Sequence, residues 1–223
     1  MTKEKQASDR LCTALFIILS GGLQDAYTYS CRGGVFANAQ TGNIVLMSIR
    51  LFHGQWAEAL KYLIPVLAFL LGTLAAQHIR RFYGARRCLH WRQLVLALEM
   101  ALLWAVGFLS QEGNPLANAL VSFVCAMQVQ AFRKVRGHVY ASTMCIGNMR
   151  SGMEALHTYL CTRERAALQQ ALVYLGVIVL FAIGAGTGAL LTERFGEKAI
   201  WASSLLLLVS FCLMFAKTSE KAY

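Results

Sequence analysis

The stretch Gly34-Val35-Phe36-Ala37-Asn38-Ala39-Gln40-Thr41-Gly42-Asn43 decides how this chain folds, because a variant of it returns in the second half. Gly33-Gly34-Val35 through Thr41-Gly42-Asn43 aligns with Gly137-His138-Val139 through Ile146-Gly147-Asn148. Upstream, Gln24-Asp25-Ala26-Tyr27 falls opposite Val129-Gln130-Ala131-Phe132. Downstream, Tyr62-Leu63, Phe69, Gly72 and Gly84 fall opposite Tyr174-Leu175, Phe181, Gly184 and Gly196. The first repeat covers about residues 11–110 and the second about 116–216. Two related halves in one apolar chain are the pattern of many transporters, whose substrate sites lie between the repeats.

Composition places that repeat in a bilayer. Of 223 residues, 57% are hydrophobic, mean hydropathy is positive and only two are proline. A soluble domain of this length carries more charge and fewer long apolar runs. Lys and Arg outnumber Asp and Glu by 21 to 11, but the basic residues sit in short segments between apolar runs. That is the distribution of cytoplasmic loops in a membrane protein, not of a nucleic-acid-binding module. Seven cysteines without a C-x-x-C pair indicate neither a disulfide framework nor a metal cluster. Lys3, Lys5 and Arg10 before Leu11–Ser20 imitate a signal peptide, but the run's internal counterpart near Leu116–Lys134 argues that it belongs to the fold. Residues 1–223 therefore read as a single membrane domain.

Eight apolar segments are visible, at about 11–31, 35–52, 59–79, 93–110, 116–132, 139–160, 168–191 and 199–216. Most match the roughly 17–25 residues that cross a bilayer core. The second and sixth differ, since they carry Asn38, Gln40, Thr41, Asn43, Ser48 and Arg50, and Ser142, Thr143, Asn148, Arg150 and Glu154. Such residues are costly against lipid. If all eight segments cross, the basic residues divide eleven to nine, with Arg150 inside a span. If the second and sixth dip in and return, sixteen of the 21 fall on one side with both termini. The second arrangement obeys the positive-inside rule. The sequence thus predicts an all-α integral membrane protein with six transmembrane helices, two broken or re-entrant segments and cytoplasmic termini. Three spans per half make the two repeats inverted.

Several polar residues fall inside this apolar frame. Asp25 lies within the first span beside Gln24, with Gln130 as its counterpart. An intramembrane carboxyl is a candidate for proton coupling or for binding a cationic group. A cap on the following turn is the structural alternative. In Thr41-Gly42-Asn43 and Ile146-Gly147-Asn148, Gly permits a backbone break while Thr and Asn can bond freed backbone groups or a ligand. Glu99 sits mid-way along the fourth segment with nothing nearby in sequence to neutralise it. Arg150 is its candidate partner, and the pair would act as a structural clasp or as a gate. Gly184-x-x-x-Gly188 reads as a helix-packing face. His53, His78, His90, His138 and His157 lie near segment ends, and no metalloprotease, serine-hydrolase, P-loop or heme motif is present.

The run Gly21-Gly22-Leu23-Gln24-Asp25-Ala26, with Gly34-Val35-Phe36-Ala37-Asn38 and Thr41-Gly42-Asn43, resembles the YoaK-like family of bacterial inner-membrane proteins. The resemblance extends over nearly the whole chain and includes a second Thr-Gly-Asn copy and an acidic residue like Glu99. The chain departs from the family pattern at Ile146, where Thr is usual, and at Gln130, where Asn is usual. The resemblance implies a multi-pass protein of the inner membrane and carries no activity with it.

The expected function is a small transporter or permease for a polar small molecule or ion. Its site would lie between Asp25, Gln24 and Thr41-Gly42-Asn43 of one half and Gln130, Gly147 and Asn148 of the other. Six spans make a small bundle, which suits a homodimer. A non-transporting scaffold or partner subunit of another membrane complex is the alternative. No nucleophile–base set is visible, so the chain is not expected to be an enzyme or to need a cofactor.

Overall fold

The computed structural model describes residues 11–84, 90–135 and 138–215. These form α1 (Leu11–Cys31), α2 (Gln40–Phe52), α3 (Trp56–Tyr83), α4 (Trp91–Val106), α5 (Asn114–Ala131), β1 (Lys134–Val135), β2 (His138–Val139), α6 (Cys145–Thr162), α7 (Arg165–Phe195) and α8 (Ile200–Phe215). Short 3-10 turns at Gln111–Gly113 and Gly196–Ala199 lead into α5 and α8. The two strands pair antiparallel, Lys134 opposite Val139 and Val135 opposite His138. The architecture is all-helical, as the sequence predicts. Gly137 and the chain termini lie outside the described residues.

Three stretches are long and apolar enough to cross a membrane, Leu11–Cys31, Trp56–Tyr83 and Arg165–Met214. The last is broken at Gly196, whose φ of 56° closes α7 before α8 begins. The 13 residues of α2 rise only about 20 Å, well short of a hydrocarbon core of about 30 Å.

Small residues decide which helices touch. A Cβ on Gly22 would strike the Phe181 carbonyl, one on Gly184 the Leu19 carbonyl, and one on Gly188 would lie 2.8 Å from Leu23 Cα. α1 and α7 therefore meet backbone to backbone, and Gly184-x-x-x-Gly188 is a packing face. Gly72 does the same for α3 against the Phe123 carbonyl of α5. Without a hydrophobic drive inside lipid, such close approach is a main source of helix association. Hydroxyls fasten α8 to α1: Ser20 and Ser203 lie 2.6 Å apart, and Ser210 donates to the Thr13 carbonyl at 3.0 Å. α8 also reaches α4, where Trp201 covers Gly107, donates to the Trp104 carbonyl and stacks on Trp104 at 4.7 Å. Leu67, Leu71 and Leu74 of α3 and Leu172, Val179 and Ile183 of α7 face outward.

Arg32 closes one end of the bundle. Its side chain is fully buried, and its guanidinium donates to Tyr27 Oη, Asn114 Oδ1 and the carbonyls of Val106, Leu109 and Ser110. Tyr27 in turn donates to the Glu197 carbonyl. The connections after α1, α4 and α7 thus gather around one residue. In the sequence Arg32 counts only as a loop cation.

Candidate functional site

Two segments turn back into the bundle. After α1 the chain reverses through Gly33 and Gly34, whose φ values of 86° and 75° suit only glycine well. Residues 35–39 then run back beside α1, and at Asn38 the amide donates to Asp25 Oδ1 at 2.7 Å while Nδ2 reaches the Gly21 carbonyl. α2 therefore starts about two turns below the end of α1 and leads back the way the chain came. After α5 the β1–β2 hairpin makes the same reversal. It returns Ser142 to Gln128 of α5 at 3.4 Å and places Thr143 against Gly21 of α1. α6 starts there.

An asparagine pins each reversal. Phe36 donates its amide to Asn43 Oδ1, and Asn43 Nδ2 donates to the Phe36 carbonyl at 2.7 Å. Ala141 and Asn148 exchange the same two bonds, the second again at 2.7 Å. These bonds serve backbone groups that no helix ladder reaches, a requirement inside hydrocarbon.

Between the starts of α2 and α6 lies a cavity of about 1090 Å³. Asp25, Gln40 and Thr41 line it from the first half, and Gln130, Thr143 and Asn148 from the second. Val66, Phe69 and Leu70 of α3 and Phe181 of α7 supply apolar wall. Asp25 is 9% exposed, and its carboxylate accepts the Asn38 amide at 2.7 Å. It therefore caps the segment that leads into α2, whose own N-cap, Ala39, offers no side-chain cap. Two buried polar atoms on the wall residues have no hydrogen-bond partner among the described residues, Asn38 Oδ1 and Thr143 Oγ1.

The residues singled out from the sequence divide. Asp25, Thr41, Gln130, Gly147 and Asn148 line the cavity. Gln24 does not; it is fully buried and donates to Ser20 and Ser203 while accepting from Cys125 Sγ, so it ties α1 to α5 and α8. Asn43 is buried in its backbone clamp. Gly42 sits under the Phe36 ring, 3.2 Å from where a Cβ would be, whereas a Cβ on Gly147 would meet nothing within 4 Å. The two glycines of the repeated motif thus differ, one pressed by an aromatic ring and the other with open space beside it.

The pairing of Glu99 with Arg150 is corrected. Arg150 lies on an exposed face of α6 and bonds Glu154, one turn on, at 2.8 Å. Glu99 is fully buried where α4 meets α5 and α8, and neither carboxylate oxygen has a partner among the described residues. A local partner at i+4 is always within reach on a helix, and it outcompetes a distant one. The sequence marks Thr143 only as one of the polar residues of the sixth segment, although Ser142-Thr143 stands just before the N-cap of α6.

A family described as "Protein of unknown function (DUF1275)" matches residues 13–213, which include every element of this site. The chain belongs to that family. It is also similar to the UPF0700 transmembrane protein YoaK of Bacillus subtilis (strain 168). The two are 24% identical over 200 residues, covering 86% of this chain and 88% of the relative. The YoaK-like resemblance read from Asp25 and the Thr-Gly-Asn motif therefore holds, and the chain is a membrane protein. No solved structure matches it.

Proposed function

We propose that the chain is a small transporter or permease of the bacterial inner membrane for a polar small molecule or ion, and not an enzyme. The carrying observation is the cavity, whose polar wall comes from both halves, with Asp25 and Thr41 on one side and Gln130, Thr143 and Asn148 on the other. A scaffold subunit has no need of such a space, and lipid would make its polar wall expensive. In this reading α2 and α6 are re-entrant, the other six helices cross, and the two repeats are inverted with cytoplasmic termini. The matching clamps of Asn43 and Asn148 support the repeat, since they join corresponding residues of both halves. Discontinuous helices whose N-termini meet near the midplane are a known way to build such a site.

A thermal-shift screen of the purified protein against metabolites and ions, followed by flux of the stabilising solutes into proteoliposomes, tests the reading. Saturable flux is the expected result; binding without flux would favour a receptor or scaffold. A reporter fused after Tyr223 should read cytoplasmic and one inserted beside Asn114 external, and the opposite result sinks the inverted arrangement.

A further inference from the structure

Resting on that transporter reading, we propose that the solute is a small anion, a carboxylate or an inorganic oxyanion, drawn through a basic vestibule and seated on the first turn of α6.

The vestibule is a second cavity, of about 460 Å³, where α3 and α5 end and α4 begins. Arg80, Arg92, Arg133 and Lys134 line it, and no carboxylate stands among its described lining residues. Trp91 organises two of the four cations, with the Arg80 and Arg92 guanidinium groups 5.9 and 5.4 Å from its ring centroid. Arg92 is held further by donating to the Ala131 carbonyl at 2.9 Å. Gln130, Arg133 and Val139 line both spaces, so the basic vestibule adjoins the central cavity across a shared wall. Clustered cations between low-dielectric walls raise the local concentration of anions.

Inside, the two helix starts differ in charge. Each carries roughly half a positive charge from its unpaired amides. At α2 the Asp25 carboxylate stands just before the helix start, on the Asn38 amide. At α6 the position corresponding to Asp25 is Gln130, which is neutral, and the N-cap residue Met144 supplies no side-chain cap. Thr143, 6% exposed, lines the cavity there, and its Oγ1, buried in the wall, bonds nothing among the described residues. An anion on this turn would take the free amides, and rotation about the Thr143 Cα–Cβ bond would bring it the hydroxyl. A cation would find less, because Asp25 is already engaged by the Asn38 amide.

The full-length protein, purified in detergent at constant ionic strength with chloride as the balancing anion, is melted against acetate, nitrate and phosphate. Acetamide, the neutral counterpart of acetate, and choline are the controls. At least one of the three anions should raise the melting temperature saturably, and acetamide should not. Thr143→Val, which keeps shape and loses the hydroxyl, should melt like the wild type in chloride yet bind that anion roughly tenfold more weakly. Thr143→Ser should retain binding, which separates a lost hydroxyl from a damaged fold. Arg133→Gln should weaken binding and flatten its salt dependence. Stabilisation by acetamide or choline alone overturns the anion assignment and leaves the transporter reading standing. No response to these probes or to a wider solute screen removes both. A vestibule that responds only to phosphatidylglycerol in mixed micelles is a lipid-headgroup site, and the inference fails.

Discussion

Asn43 and Asn148 form the same clamp in different halves of the chain: each side-chain amide exchanges two hydrogen bonds with the backbone seven residues earlier. Each holds an extended segment against the helix that follows it, at 0% and 3% exposure. Without the clamp, an N–H and a C=O would be left bare inside the bundle. Asn43→Ala and Asn148→Ala should each lower stability by about 1–3 kcal/mol. Because the two sites share no contact, the double substitution should be additive within about 0.5 kcal/mol. Thermal melts of the four proteins in one detergent check this, and a silent Asn148→Ala would mean that the second clamp is ornamental.

Arg32 is the most heavily bonded side chain at its end of the bundle. Its planar fork serves five acceptors on α1, α4 and the turn before α5. Lysine has a single nitrogen and cannot reach all five. Arg32→Lys should therefore cost about 2–4 kcal/mol and Arg32→Ala still more, since both strand buried carbonyls. Chemical denaturation in mild detergent gives the values. If Arg32→Lys is neutral, the connections are held by something other than this residue.

How much of this was legible in the sequence depends on distance. The clamps announce themselves because Asn recurs at the same place in each repeat and acts within seven residues. Arg32 gives no such sign, since four of its five acceptors lie 74 to 82 positions away. Gln24 misleads for the same reason: it stands beside Asp25 in the sequence, but its partner Ser203 is 179 residues distant and turns it away from the cavity. The expected bridge from Arg150 to Glu99 overlooked a nearer signal, the Glu four residues on. Thr143 was hidden because its interest lies in lacking a partner, which no sequence shows.

Glu99 and Arg150 should now behave independently. Arg150 is exposed and bonded only along its own helix, so Arg150→Met should leave stability unchanged. Glu99 buries two oxygens without partners among the described residues, at a cost of the order of 1–3 kcal/mol. Glu99→Leu should recover part of that and raise the melting temperature. A residue kept at such a cost is a candidate for function, so flux should fall even as stability rises. The paired substitution should equal the sum of the single ones, and rescue of one by the other would restore the clasp.

Asp25 carries two roles that one substitution can separate. It caps the segment before α2 through the Asn38 amide, and it lines the cavity. Asp25→Asn keeps one acceptor but turns an NH2 toward amide donors, so the cap should weaken by about 0.5–2 kcal/mol. The folded protein should survive that loss and express normally. If Asp25 also couples a proton or positions the solute, the variant should lose solute-dependent stabilisation, and flux should lose its pH dependence. Raising stability elsewhere, for instance with Glu99→Leu, should restore the melting temperature of Asp25→Asn without restoring flux. Should flux and pH response instead follow the melting temperature, Asp25 is a cap alone, and the transport site must be sought at Thr143 and the first turn of α6.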